Sequence, residues 1–155
     1  MRFLKVLLVV ISITFTTSIS LFAKEQRSSV AVVVDKTTYK TISQEIDNYI
    51  ESINAQGKKG ILLIDSCGTP EPIKTTLQKL WREQNLEGAI LIGDIPIPMV
   101  RNANHLSTGF KMSPKRPWIE SSIPSDRYYD DFNLKFTFLK RDSLNKSLFY
   151  YSLDA

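Results

Sequence analysis

The chain has 155 residues, of which 43% are hydrophobic and 23% are charged. These values suit one modest globular domain and exclude wholesale disorder, a collagen repeat and a coiled coil. With one cysteine, Cys67, and one histidine, His105, the sequence also excludes an internal disulfide and a conventional Cys/His zinc site.

The first segment has the layout of a secretory signal peptide. Arg2 and Lys5 precede an apolar run at 6–15, and a Ser/Thr-rich stretch then leads to Ala23, a small residue suited to cleavage. We predict a signal peptide over residues 1–23 and export to the periplasm, the cell surface or the extracellular space. The alternative is an uncleaved anchor, but polar residues after the apolar run interrupt the length of about 20 residues that a membrane span needs.

The net charge of +4 belongs partly to this leader. Removing residues 1–23 leaves 18 basic and 16 acidic residues, a charge of +2. That charge is too small to indicate nucleic-acid binding without a clustered basic face. The densest basic patch, Lys111, Lys115 and Arg116, lies among prolines and is typical of a solvated loop. We expect no nucleic-acid partner, and no membrane span after cleavage.

Three short apolar runs predict buried strands. They are VAVVVD after Ser29, ILLI at 61–64, which ends in Asp65, and AILI at 89–92, which is bracketed by Gly88 and Gly93. Runs of this kind, rich in β-branched residues, are expected where both faces of a strand are covered.

Two amphipathic helices are predicted between these strands. The first has an apolar stripe at spacings of three and four: Ile42, Ile46, Tyr49, Ile50 and Ile53. Thr41 with Gln44 has the spacing of a capping box at its start, and Gly57 suits its end. The second helix begins at Thr69 and Pro70, where proline needs no backbone N–H. Its stripe is Ile73, Leu77, Leu80 and Trp81.

This alternation predicts an α/β fold, a three-layer sandwich with a parallel sheet and a βαβαβ start at about residues 29–94. After that unit, prolines predict a long loop over 95–131. Alternating residues at 132–139 and the apolar run at 148–153 predict a C-terminal β-hairpin over about residues 132–153. We expect an incomplete domain whose third strand has an unpaired edge.

The predicted strand ends are acidic. They carry Asp35, then Asp65 with Ser66 and Cys67, and then Asp94. In open parallel sheets, ligands bind outside the carboxyl ends of the strands. The sequence therefore places any chemistry at this edge.

Cys67 and His105 are the candidate catalytic pair, because a cysteine nucleophile needs a base to form the thiolate. The apolar run before Asp-Ser-Cys-Gly resembles the cysteine-bearing strand end of caspase-type peptidases. In that fold, however, the histidine strand comes first, whereas His105 follows Cys67 and has no adjacent glycine. A lone cysteine near a helix start is more often a small structural residue.

Four carboxylates are candidate calcium ligands, because calcium prefers oxygen donors. They are Asp94, Asp126, Asp130 and Asp131. Their spacing is not that of an EF-hand loop, and turn-forming aspartates with a surface ion pair between Asp126 and Arg127 are the alternative. No other cofactor is expected, since the sequence has neither a glycine-rich phosphate loop nor a serine-hydrolase elbow.

Two sequence blocks resemble the gingipain-like cysteine peptidases of Bacteroidetes-type bacteria and their secreted relatives. The Gly-Asp block, residues 86–101, has an apolar strand, Gly93-Asp94 and then Ile-Pro. The Ser-Asp block, residues 121–132, has Ser-Asp followed closely by tyrosines. The resemblance extends over about residues 60–153.

This family implies a caspase-like α/β sandwich, secretion, and a His/Cys dyad that cleaves peptide bonds through a thioester. Its catalytic His-Gly and Cys-Gly strand ends come after these two blocks, and no residue here matches either motif. The resemblance implies that Asp94 and Asp126 shape the site or a nearby metal, and assigns no catalytic role to Cys67 or His105.

We therefore expect the exported N-terminal part of such a peptidase domain, inactive alone, with protein or peptide substrates for the full-length form. A complete small binding or structural module of the cell envelope is the alternative. An active enzyme that uses Cys67 and His105 is the third reading.

Overall fold

The structure is a computed structural model that describes residues 27–66, 68–101 and 115–154. The predicted signal peptide, Cys67 and His105 lie outside these ranges. The elements in chain order are β1 (Ser29–Asp35), α1 (Lys36–Ala55), β2 (Lys59–Asp65), α2 (Pro70–Gln84), β3 (Leu86–Ile92), β4 (Ile97–Arg101), β5 (Ser122–Pro124), α3 (Arg127–Asp130), β6 (Phe136–Arg141) and β7 (Leu148–Leu153). Within the described ranges, no helix is both long and apolar enough to cross a membrane.

The first sheet is parallel and has the strand order β2-β1-β3. In the central strand β1, four consecutive residues are at most 1% exposed: Ala31, Val32, Val33 and Val34. Alternate side chains of a strand point to opposite faces, so both faces of β1 are covered.

One helix covers each face of this sheet. On one face, Ile46 of α1 lies in an apolar cluster with Val32. On the other, Leu77 of α2 lies in a cluster with Ala31 and Val33. The predicted α/β class, with helices on both faces of a parallel sheet, is confirmed.

α1 begins earlier than predicted, and the capping box assigned to Thr41 and Gln44 is wrong. The side chain of Asp35 accepts hydrogen bonds from the backbone N–H groups of Thr37 and Thr38, and so caps the helix. The Thr41 hydroxyl instead donates to the Thr37 carbonyl at 3.2 Å. The next residue has non-helical dihedral angles, which kink the helix.

The other predicted helix boundaries are confirmed. α1 is followed by Gly57, which has a φ of +81°. α2 begins at Pro70 and ends before Asn85, whose φ of 50° reverses the chain. Because the chain reverses there, β3 begins at Leu86, before the predicted apolar run.

A second, mixed sheet has the order β5-β4-β7-β6. The expectation of a long loop over 95–131 is wrong for its described part, which contains β4, β5 and α3. These strands were not predicted because each contains a proline, which argues against a strand in the sequence. Pro98 of β4 precedes the residues that pair with β5, and Pro124 ends β5, an edge strand of this sheet.

The predicted C-terminal hairpin is confirmed as the antiparallel pair β6 and β7. Its first strand begins at Phe136, not near Phe132, whose ring lies 5.5 Å from that of Trp81 on α2. β7 also pairs in parallel with β4, beginning with Ile97 opposite Leu148. The second arm of the hairpin is therefore an inner strand of the second sheet.

One apolar cluster joins the two sheets. Its buried members are Ala31, Val33, Ile73, Leu77, Leu80, Ile95, Tyr128, Tyr129, Phe149 and Tyr151. Around it, the Tyr151 hydroxyl donates to the Glu71 carboxylate of α2, and Lys74 Nζ lies 4.6 Å from the ring centroid of Tyr128. α2 therefore contacts both sheets.

Candidate functional site

The carboxyl ends of the parallel strands meet at one edge, as the sequence predicts. Asp35 at the end of β1 lies opposite Asp65 at the end of β2, and the N–H of Asp94, just after β3, donates to Asp35. We call Asp35, Asp65 and Asp94 the acidic edge.

Both carboxylate oxygens of Asp35 are engaged. Oδ1 accepts from the N–H groups of Thr37 at 2.9 Å and Thr38 at 3.0 Å, and Oδ2 accepts from the N–H of Asp94 at 2.9 Å. Hydrogen bonds from the Thr38 hydroxyl, from the Thr38 N–H and from the Asp94 N–H lower the pKa of Asp35 to about 2. Asp35 is therefore an anion that joins the start of α1 to the end of β3.

Gly93 allows this close contact between the end of β3 and Asp35. Its φ is +85°, and a Cβ atom there would overlap both Asp35 Oδ2 and the Thr38 side chain. The glycine of the Gly-Asp block thus has a structural explanation.

The Asp94 side chain reaches the second sheet. Its Oδ1 accepts from the Ser147 hydroxyl at 2.6 Å, while the Ser147 carbonyl accepts from the N–H of Ile97 at 2.7 Å. Sequence reasoning missed Ser147, because only the long-range pairing of β4 with β7 brings it to Asp94. No local pattern signals that pairing.

The Gly-Asp block and the Ser-Asp block contact each other. The Tyr129 hydroxyl donates to the Pro96 carbonyl at 2.7 Å, and the Ser125 N–H donates to the Pro98 carbonyl at 3.0 Å. Tyr129 is 4% exposed, and burial raises the pKa of its hydroxyl well above the ordinary value. The Ile-Pro segment and the Ser-Asp tyrosine therefore belong to one packed unit.

The four candidate calcium ligands have different surroundings. Asp94 accepts from Ser147, whereas Asp126 and Asp130 line a groove beside β3. Asp131 accepts from two backbone N–H groups that follow it, as turn-forming aspartates do. In the part of the chain that the structure describes, no three His, Cys, Asp or Glu side chains are grouped to hold a metal ion. The calcium set stays a prediction.

The catalytic candidates Cys67 and His105 also stay predictions, because they lie outside the described residues. Beside Cys67, the carboxylate of Asp65 accepts from the Gly68 N–H at 3.3 Å. A shallow depression of about 180 Å³ adjoins Asp65 and Ser66 at the end of β2.

Comparisons of the chain with protein-family models, with curated proteins and with solved structures give no match. The likeness to gingipain-like peptidases therefore rests on the residues of the Gly-Asp and Ser-Asp blocks. The contact between these two blocks is a property of the described structure.

Proposed function

We propose that the chain is the exported N-terminal part of a gingipain-like cysteine peptidase domain, and that it supplies the sheet scaffold rather than the catalytic pair. The observation that carries this proposal is the buried hydrogen bond from Tyr129 to the Pro96 carbonyl. It joins the two blocks on which the resemblance depends. Residues that define a family by their role in one scaffold are expected to contact each other in this way.

The acidic edge supports a structural role for the motif aspartate. Asp94 uses its N–H toward Asp35 and its carboxylate toward Ser147, so it joins the ends of two sheets. Asp35 already accepts hydrogen bonds from three backbone N–H groups. Carboxylates committed in this way position the backbone around a site and are poor general bases, since their hydrogen bonds favour the ionised form.

A peptide library tests the proposal. The purified chain is incubated with a mixed library of peptides, and cleavage products are sought by mass spectrometry. We expect no cleavage. Turnover by the unmodified chain that is lost in both Cys67→Ala and His105→Ala would contradict the proposal and favour an active enzyme.

The export part of the proposal has its own test. The full chain is expressed in a bacterium with a general secretory pathway, and the mass of the exported product is measured. We expect a product that begins at Lys24, because Ala23 ends a segment with the signal-peptide layout. A product that retains residues 1–23 in the membrane fraction would show an uncleaved anchor instead.

A further inference from the structure

An open groove of about 750 Å³ lies along β3, between that strand and the helices α2 and α3. Among the described strands, β3 pairs with β1 alone and forms one end of the first sheet. The other side of an edge strand presents backbone N–H and C=O groups that can pair with a further strand. The groove therefore adjoins an edge that is available for pairing.

The first half of β3 is exposed to solvent. Glu87, Gly88 and Ala89 are all exposed, and a Cβ atom built on Gly88 meets no atom within 4 Å. The open space at Gly88 lies on the sheet face that α1 covers, where its partner Val30 packs near Val32. The groove lies on the other side, against Ala89, so a partner would reach β3 from its edge.

Two aromatic side chains, Trp81 and Phe132, form an apolar surface beside β3. Trp81 of α2 is 51% exposed, and its ring lies 5.5 Å from that of Phe132. Both rings line the groove together with Leu86 at the start of β3. A large aromatic surface next to an open strand edge is a typical anchor for apolar side chains of a partner.

The charged groups that line the groove are all acidic. They are Glu87, Asp126 and Asp130, and none of the lining residues is a lysine or an arginine. Lys58 contacts Glu87 from outside the groove, Arg127 lines a neighbouring depression, and Lys74 of α2 interacts with Asp130 without lining the groove. The two aspartates therefore give this surface a negative potential, which attracts lysine and arginine side chains.

We propose that this groove binds an extended segment of another polypeptide, rich in apolar and Lys/Arg residues, which pairs with β3 as a fourth strand of the first sheet. A second copy of this chain is a poorer occupant, because pairing two β3 edges would bring the acidic side chains of both copies together. The inference does not rest on the proposed function, and its test contains no activity assay.

The test uses the full chain and three fluorescein-labelled peptides, with binding measured by fluorescence anisotropy. The probe is (Val-Thr-Lys)₃, whose repeat of three places lysine on both faces of an extended strand, since side chains alternate. The controls are (Val-Thr-Glu)₃, of opposite charge, and (Val-Pro-Lys)₃, in which proline removes one backbone N–H in every three and so disrupts strand pairing. We expect saturable binding of the lysine peptide, weakened by salt, and at least about tenfold weaker binding of both controls.

Two variants locate the site. Trp81→Ala removes the exposed aromatic ring that lines the groove and is expected to weaken binding by at least about tenfold. Thr137→Val, on the exposed strand β6, is the matched control and should bind normally. The double variant Asp126→Asn, Asp130→Asn is expected to weaken binding of the lysine peptide about fivefold and to change that of the glutamate peptide in the opposite direction. This second variant removes no buried group, so it keeps the test valid where Trp81→Ala fails to fold.

Several outcomes would overturn the inference. They are the absence of saturable binding, equal binding of the lysine and glutamate peptides, and binding that is unchanged in the double aspartate variant. A dimer in sedimentation that Trp81→Ala dissociates would also overturn it, since a second copy would then occupy the groove.

Discussion

At the scale of single residues, Asp35 is the side chain that links the start of α1 to the end of β3. One of its oxygens caps α1 and the other holds the backbone of Asp94. A single carboxylate thus determines both where the first helix begins and how the chain leaves β3. Among the described side chains of β1 and α1, Asp35 alone both caps α1 and accepts from the backbone of Asp94.

Asp35→Asn should reduce stability in a pH-dependent way. The folded protein holds the pKa of Asp35 at about 2, below the ordinary value of 3.8, so the ionised carboxylate stabilises the fold. That contribution is fully present above about pH 4 and is lost as the pH falls toward 2. We expect the difference in free energy of unfolding between wild type and variant to be constant from pH 5 to 7 and to shrink below pH 4.

Urea unfolding at each pH measures this difference. The control is Asp47→Asn on the exposed surface of α1, which should change the free energy of unfolding by less than about 0.5 kcal/mol. A difference between wild type and Asp35→Asn that grows on acidification would contradict the role given to Asp35.

Gly93→Ala should destabilise the fold by about 2 kcal/mol or more. The new Cβ meets both unfavourable dihedral angles and the atoms of Asp35 and Thr38. Gly88→Ala is the matched control, because its Cβ meets open space, and should change stability by less than about 0.5 kcal/mol. Equal midpoints of chemical unfolding for the two variants would show that the close contact at Gly93 is not needed.

At the scale of elements, the first sheet and the hairpin are predictable from local patterns, whereas the second sheet is not. The apolar runs and the helical stripes specify β1, β2, β3, α1 and α2 because each pattern lies within one element. β4 pairs with β7, about fifty positions further along the chain. Pro98 within β4 also interrupts the apolar pattern from which a strand is predicted. The contact of Asp94 with Ser147 depends on that pairing, and the contact of Tyr129 with Pro96 accompanies the pairing of β4 with β5. Sequence reasoning therefore reaches the motif residues but not their partners.

Tyr129→Phe tests the contact between the Gly-Asp and Ser-Asp blocks. The variant keeps the ring but leaves the buried Pro96 carbonyl without its donor, so stability should fall by about 1–2 kcal/mol. Tyr49→Phe, on the exposed face of α1, should have almost no effect. Thermal unfolding followed by circular dichroism compares the two. Equal melting temperatures would remove the observation on which the proposed function depends.

At the scale of the whole molecule, α2 connects the two sheets. Leu77 is 1% exposed and belongs to the cluster that contains β1, α3 and β7. Leu77→Ala should therefore lower the free energy of unfolding by about 2–5 kcal/mol. Leu144→Ala, at a position that is 94% exposed, is the control and should be close to neutral.

Two spectroscopic signals show whether the sheets depend on each other. Far-ultraviolet circular dichroism reports all elements, while tryptophan fluorescence reports Trp81 on α2 and Trp118 against Tyr150 of the second sheet. In Leu77→Ala we expect both signals to shift to lower denaturant together. A fluorescence transition in two steps, of which one shifts and the other does not, would mean that the second sheet folds independently of α2.

The central claim is that this chain supplies scaffold and not a catalytic pair, and the alkylation rate of Cys67 tests it most directly. Cys67 is the only cysteine in the sequence, so the measured rate belongs to one thiol, and no substrate has to be guessed. A catalytic cysteine is activated by its base and reacts faster than a free thiol near neutral pH. We predict that iodoacetamide reacts with the folded chain at pH 7 no faster than with glutathione, and at the same rate in His105→Ala. A rate at least about tenfold above that of glutathione, and lost in His105→Ala, would contradict the account.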